Sequence, residues 1–227
     1  MKIRRIQYSI DYIHILTFRE EYKEAVVPYF AFEGLEYAID FENTINESIR
    51  LIFKRENFAI ILKKEQITFI YEGDVNNLKI AEGVISTFWE IYNKIAKFRG
   101  YKRSVQHTII ANAVDILEAE KNTLILDNNS YFRENPFGKL NDFACVYDFN
   151  KDAKNCKFHF GRFAFKEIKN FDLMPFNTEF NEDLLSGEGV IGQLTIIEKL
   201  NTSTHGKFKS LLTVIESTIN SYKYLEE

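Results

Sequence analysis

The sequence predicts an α+β fold in which a predominantly antiparallel sheet, built from meanders, is covered by two long amphipathic helices. Its apolar mass lies mostly in residues that favour strands, with 21 Phe and 12 Tyr but only one Trp and three Pro. Short segments of alternating polarity follow one another through connections too brief for parallel crossovers. Two longer segments instead have apolar residues at helical spacing.

The first half of the chain is predicted to begin with a strand over residues 3–16, where tyrosine and isoleucine alternate with polar residues. The segment TFREEYKEAVV then fits a short helix that ends before Pro28. Three strands with short polar connections follow and form an antiparallel meander: SIRLIF at 48–53, FAIILKK at 58–64 and ITFIYEG at 67–73.

A long helix is predicted from Asn77 to Gly100, because its apolar residues recur at helical spacing and Gly100 supplies a stop. A second is predicted after residue 204, where apolar residues lie on one helical face that starts at Phe208. The strands predicted between the two helices cover residues 104–117, 122–127, 142–149, 157–168 and 189–200.

Both halves of the chain therefore contain a meander followed by an amphipathic helix. The segment DNNSYFRENPFG at 127–138 is rich in turn formers, which predicts an N-terminal α+β half over residues 1–127 and a C-terminal half over 128–227. The halves share no residue-level identity, so a two-fold pseudo-repeat and a chance resemblance are both open. The halves could also pack as one domain with a single sheet.

Composition and charge narrow the class of protein. Hydrophobic residues make up 45% and charged residues 27% of the 227 residues, as in globular proteins. The net charge of -4 gives no general attraction to a phosphate backbone. Asp11 and His14 interrupt the apolar run near the N-terminus, which argues against a signal peptide, and no segment has the length of a membrane span. We expect a cytoplasmic protein with no membrane partner.

The stretch KFHFGRFAFKEI at 157–168 raises the question of nucleic-acid binding, because GRFAF is close to the core of an RNA-recognition strand. The candidate contact residues are His159, Arg162 and Lys166, with Arg99, Lys102 and Arg103 from the basic stretch KFRGYKR. The segment before this strand lacks the helix that such a fold requires. We favour a core strand in which a bulge at Gly161 brings both pairs of phenylalanines to one face.

The sequence predicts no catalytic residue, metal ligand or cofactor. Its four histidines lack ligand spacing, although His107 and His159 would approach each other if their strands were neighbours. Gly187, Gly189 and Gly192 have the spacing of a phosphate loop, but a strand-like run follows them instead of a helix.

The two cysteines flank the turn NKDAKN of a predicted hairpin. With Asn150 and Lys151 as its loop, Cys145 and Cys156 would face each other. The cytoplasmic location favours reduced thiols, and the pairing is left open.

Three functional hypotheses remain. The first is a non-enzymatic protein-protein interaction or accessory module of bacterial or phage origin, related to immunity or defence, that binds another protein or forms a homodimer through its sheet edges. The second is a small-molecule-binding protein or an enzyme with a site between the halves, lined by aromatic residues such as Tyr8, Tyr12, Phe143 and Tyr147. The third is nucleic-acid binding through the Arg162 strand. The absence of catalytic motifs favours the first.

Overall fold

The computed structural model describes most of the predicted strands and helices. The described residues are 2–12, 18–31, 33–42, 44–72, 78–97, 105–116, 144–151, 153–164, 188–200, 208–210, 212–215 and 217. The strands are β1 (Lys2–Asp11), β2 (Leu35–Asp40), β3 (Ser48–Phe53), β4 (Phe58–Lys63), β5 (Gln66–Glu72), β6 (Val105–Ile116), β7 (Ala144–Lys151), β8 (Lys154–Ala164) and β9 (Glu188–Leu200). The helices are α1 (Phe18–Val26), a 3-10 turn (Val27–Tyr29) and α2 (Leu78–Lys97).

These strands form one sheet of nine in the order β2-β3-β4-β5-β1-β6-β9-β8-β7. Every neighbouring pair is antiparallel, so the predominantly antiparallel sheet is confirmed. The strand order is similar on both sides of the central strands β1 and β6. Strand β1 pairs with β5, the last strand of the first meander, and β6 pairs with β9, the last strand of the second. The predicted boundary between residues 127 and 128 lies outside the described residues and stays a prediction.

The prediction of two long helices is not supported. Helix α1 has only nine residues, and α2 has twenty. Of the second predicted long helix, the structure describes as helical only residues 208–210, 212–215 and 217, which we call the C-terminal helical segment.

The helices pack on one face of the sheet. Successive strand residues point to opposite faces, so every second residue of a strand points toward the helices. Tyr8 at the centre of β1 is fully buried, and its ring lies 6.0 Å from that of Phe88 and 6.1 Å from that of Trp89 on α2. The ring of Phe208 on the C-terminal helical segment is 4.4 Å from the same tyrosine. Phe69, opposite Tyr8 on β5, contacts both Phe88 and Phe208. One aromatic cluster therefore joins the sheet to both helices.

Helix α1 and the 3-10 turn are fixed to this layer through tyrosine hydroxyls. The hydroxyls of Tyr12 and Tyr22 contact each other, and both donate to the backbone oxygen of Lys63. The Tyr29 hydroxyl donates to a carboxylate oxygen of Glu90 on α2 at 2.8 Å. Burial and this carboxylate raise the pKa of Tyr29 above its ordinary value. The turn that follows α1 is therefore held beside α2.

The opposite face of β1 and β5 carries a ladder of paired polar side chains. Arg5 and Glu72 form an ion pair at 3.4 Å, and the hydroxyls of Ser9 and Thr68 lie 3.0 Å apart. The amide of Gln66 donates to Asp11 at 2.6 Å. Each pair joins directly opposite residues of the two strands. Because buried polar groups are costly without hydrogen bonds, this ladder lets the sheet centre have a polar face.

The register of β8 contradicts the predicted bulge at Gly161. Phe160, Gly161 and Arg162 face successive residues of β9 without interruption. Among the described pairs of strands, the register shift lies instead in β1, between Ile3 and Arg5. Gly161 therefore continues a regular strand, and it does not bring the phenylalanines on its two sides to one face.

The hairpin of β7 and β8 separates the two cysteines. Asn150 faces Asn155 and Lys151 faces Lys154, so the two residues of the predicted loop belong to the paired strand. Cys145 then faces Phe160, four residues from Cys156 along β8, or about 13 Å at strand spacing. A disulfide requires a separation below about 7 Å. Cys156 is a free thiol.

The aromatic cluster generates a prediction about stability. Replacing Phe208 with Ala should lower the free energy of unfolding by about 3–5 kcal/mol, because it leaves a cavity against Tyr8 and Phe69. The matched control is Val214→Ala on the same segment, whose side chain is exposed. Urea denaturation followed by circular dichroism measures both. Equal effects of the two substitutions would show that the segment does not pack as described.

Candidate functional site

The residues predicted to contact nucleic acid are only partly within the described structure. His159 is exposed on β8, between Val146 of β7 and Gln193 of β9. Arg162 lies further along β8, opposite Val190 of β9. The remaining predicted contacts, Lys166, Arg99, Lys102 and Arg103, lie outside the described residues. This site stays a prediction.

His107 and His159 do not lie on neighbouring strands, because β9 lies between β6 and β8. His107 faces Glu198 of β9, whereas His159 faces Gln193. Within the described part of the chain, no group of three or more His, Cys, Asp or Glu side chains is placed to hold a metal ion. The condition under which the two histidines would approach each other is therefore not met.

The thiol of Cys156 has the opposite character to an activated nucleophile. It is half-buried, and burial together with the nearby charge of Asp148 raises its pKa. Reactive cysteines have a lowered pKa, because the thiolate is the nucleophile. Chemistry at Cys156 is therefore disfavoured at neutral pH.

The face of the sheet opposite the helices has balanced charge. Among the strand side chains that the structure describes there, the cations are Arg5, Arg50, Lys63, Lys157 and Lys199, and the carboxylates are Asp11, Glu36, Asp40, Glu72 and Asp148. The two sets are equal in number. Their field gives no net attraction to a polyanion, since such binding depends on an excess of positive charge.

Among the residues that the structure describes, the largest group of exposed large apolar side chains lies at the β2 end of the sheet. Tyr37 and Ile39 of β2 are 61% and 48% exposed, although their neighbours on β3, Leu51 and Ile49, are buried. Further exposed apolar residues come from the 3-10 turn and from the loop after β2. Together they form the β2 edge patch: Val27, Phe30, Tyr37, Ile39, Phe41 and Ile45.

Local structure places the two sides of this patch together. Pro28 lies in the 3-10 turn that ends α1, and the Tyr29 hydrogen bond holds that turn beside α2. Phe30 follows directly, and its ring lies 4.9 Å from that of Tyr37. On the other side, Arg19 of α1 binds Glu47 at 2.6 Å, which ties the loop after β2 to the helix layer.

Phe41 has an unusual backbone conformation for an exposed aromatic residue. Its φ is +51°, in the left-handed region, and its side chain is 70% exposed. Its carbonyl accepts hydrogen bonds from both the backbone N–H and the hydroxyl of Thr44, which closes the turn after β2. Glycine would adopt this conformation without strain, whereas a bulky side chain costs about 1–2 kcal/mol. The strained aromatic residue gains little burial in return, which points to a function outside the folded monomer.

Charged side chains around the β2 edge are paired within the chain. Glu36 binds Lys54 at 2.7 Å, and Asp40 binds Arg50 at 3.0 Å. Glu42 and Glu47 both pair with Arg19, and they raise its pKa. The edge therefore combines apolar side chains with a rim of paired charges, in which three cations face four carboxylates.

The other end of the described sheet also carries exposed apolar residues, but fewer of them. Val146, Tyr147 and Phe149 of β7 are exposed. The Tyr147 ring stacks at 6.4 Å on both Phe149 and the buried Phe158. These contacts tie the β7 aromatics to their own sheet, so β7 is the weaker candidate.

No protein-family model matches this sequence, and no curated protein is similar to it. Among the described helices, none is long and apolar enough to span a membrane.

The sequence reading missed β2 and therefore the edge patch. The segment LEYAID has six residues, and its apolar side alternates with glutamate, alanine and aspartate. Gly34, with φ of +85°, precedes this period-two pattern and Phe41 extends it by one residue. This was the available signal, but Glu36, Ala38 and Asp40 are residue types that are depleted in strands, whereas β3, a strand of the same length, is mostly apolar.

Phe41 generates a prediction about strain. Phe41→Gly should stabilise the fold by up to about 1.5 kcal/mol, because roughly 1–2 kcal/mol of strain is relieved against roughly 0.5–1 kcal/mol of added chain entropy. The control is Asn57→Gly, at φ of +56°, where asparagine already tolerates the left-handed region and the gain should be smaller. Urea denaturation of both variants at one protein concentration makes the comparison. A loss of stability in Phe41→Gly would mean that the ring packs within the monomer.

Cys156 generates a prediction about reactivity, tested in a Cys145→Ala background. Its alkylation at pH 8 should be slower than that of an unstructured cysteine peptide, and Asp148→Asn should accelerate it by removing the charge that raises the thiol pKa. The Asp148→Glu control keeps the charge and should stay slow. The stability that the protonated Cys156 thiol contributes to the fold should be fully present below the ordinary pKa of 9.0. It should be lost as the pH rises through the raised pKa of the folded protein. Fast alkylation of the parent protein would contradict this assignment.

Proposed function

We propose that this protein is a non-enzymatic, cytoplasmic interaction module that takes up a strand of a partner protein along the outer edge of β2. The observation that carries this proposal is the β2 edge patch, six exposed apolar residues that lie on a terminal strand of the described sheet, in the loop after it and at the 3-10 turn, where Phe30 contacts Tyr37. A terminal strand offers backbone hydrogen-bonding groups to an added strand, and the alternating side chains supply specificity. Composition favours a bacterial or phage accessory protein, with a role in immunity or defence.

The chemistry of the described residues supports this function over an enzyme. The carboxylates at the β2 edge are engaged in ion pairs, and the half-buried Cys156 thiol has a raised pKa. General acid/base and nucleophilic catalysis need groups poised to exchange protons or to attack. The β2 edge instead offers apolar area and backbone, which are the means of strand addition.

The charge distribution supports a protein partner over a nucleic acid. Cations and carboxylates are equal in number on the described strands of the face opposite the helices, and Lys157 there pairs with Asp148 at 3.7 Å. At the β2 edge, Lys54 and Arg50 are likewise paired with carboxylates. A partner strand that carries little charge fits this surface best.

The test compares complexes formed by the parent protein and an edge variant. Ile39→Lys should abolish any complex seen by native mass spectrometry of protein purified from its own host, because it places a charge in the middle of the edge patch. Ile39 is half exposed, so the fold should persist, which circular dichroism checks.

The matched control is Val146→Lys, which places the same charge on the exposed face of β7. It should leave the complex intact. A complex lost only in the Val146 variant would move the interaction to β7, and a complex unaffected by either substitution would contradict binding at a sheet edge.

A further inference from the structure

We infer that the strand added to β2 is β2 of a second copy of this chain, in an antiparallel register centred on Tyr37. This inference rests on the proposed interaction at the β2 edge and identifies its partner. It follows from which residues of the strand would face each other in each register, and from the charges that those pairs would bring together.

An antiparallel pair of two copies of one strand requires a two-fold axis perpendicular to the sheet. Such an axis keeps the helices of both copies on the same side. Each residue of one copy then lies opposite a residue of the other copy whose side chain points to the same face of the sheet. Leu35, Tyr37 and Ile39 share the side of the helices, whereas Glu36, Ala38 and Asp40 share the other side.

Three of the five registers centred within residues 36–40 bring carboxylates together. Centring on Glu36 or on Asp40 places that residue opposite itself, and centring on Ala38 places Glu36 opposite Asp40 of the copy. Like charges directly opposite are destabilising in an antiparallel pair.

Centring on Ile39 would place Tyr37 opposite Phe41. Phe41 has left the extended conformation, with φ of +51°, so the paired segment would shrink to residues 38–40. That pairing uses only half of the strand.

Centring on Tyr37 avoids both problems. Tyr37 faces Tyr37 of the copy, Leu35 faces Ile39, and Glu36 faces the small Ala38. Apolar and aromatic cross-strand pairs are stabilising. Phe30, already stacked beside Tyr37, would extend the two facing tyrosines into a cluster of four rings.

The charge pattern also favours a second copy over a charged partner. Glu36 and Asp40 are already neutralised by Lys54 and Arg50 of their own chain. A self-complementary contact about a two-fold axis closes after two copies, so it covers the β2 edge of both.

Ala38 provides the test. Ala38→Glu places a carboxylate opposite Glu36 of the copy at two symmetric positions. It should raise the dimer dissociation constant roughly two- to thirtyfold. Within its own chain the new carboxylate lies opposite Arg50 of β3, so the monomer should stay folded. The double variant Ala38→Glu with Glu36→Lys pairs opposite charges across the axis and should restore the dimer. Sedimentation velocity of the parent protein and both variants measures this.

A second measurement does not depend on the charge variants. With Cys145 and Cys156 replaced by Ser, Tyr37→Cys should form a disulfide-linked dimer under mild oxidation, because residue 37 faces itself. Ala38→Cys, whose opposite residue is Glu36, should not. Cross-linking at 38 without cross-linking at 37, or a double variant that fails to restore the dimer, would overturn this register.

The sedimentation data also separate this inference from the proposed function. A monomeric parent protein whose host complex is still lost in Ile39→Lys would overturn self-pairing while supporting the edge as a binding site for another protein. A parent dimer that persists unchanged in Ile39→Lys would overturn both.

Discussion

Burial of Tyr8 beneath α2 and the C-terminal helical segment determines which face of the sheet becomes the core. Tyr8 is on β1, which pairs with β5 on one side and with β6 on the other. Because strand residues alternate, placing Tyr8 against the helices also places Phe69 and Ile109 there, the residues opposite it on those two strands. A slip of one residue would turn these apolar side chains to the other face, so this packing determines the register of the central strands.

The same alternation explains the polar ladder on the opposite face. Once Ile6, Tyr8 and Ile10 point toward the helices, Arg5, Ser9 and Asp11 must point away. These polar side chains lie at the centre of a wide sheet, and Arg5 and Ser9 are buried. Direct cross-strand pairs with β5 satisfy them at little cost. The ladder is therefore a consequence of the core, and with Arg5 against Glu72 and Asp11 it has no excess of positive charge for a polyanion.

The sequence predicted well the strands that are rich in β-branched and aromatic residues. The predicted range of β3 agrees with the structure, and those of β4 and β5 agree within one residue at either end. The failures have local physical causes. Strand β2 was missed because every second residue is a glutamate, an alanine or an aspartate, which are depleted in strands, and its residues Tyr37 and Ile39 remain exposed. The bulge at Gly161 assumed that all phenylalanines of β8 must be buried together, but a strand can place them on both faces. The predicted pairing of Cys145 with Cys156 depended on the register of the hairpin. The observed register, with Lys151 opposite Lys154, moves the residue opposite Cys145 by four positions along β8, from Cys156 to Phe160.

The candidate site was harder to predict because it depends on strand order and on backbone conformation, neither of which the local pattern contains. Exposure of Tyr37 and Ile39 follows from the position of β2 at the end of the described sheet. In a central strand the same residues would be core. The left-handed conformation of Phe41 is likewise absent from the local pattern, because a fold optimised for stability alone would have glycine at such a position. An apolar edge is a liability for a monomer, since unprotected edges aggregate. Pairing with a second copy in the register centred on Tyr37 would remove that liability, because each β2 edge would cover the other.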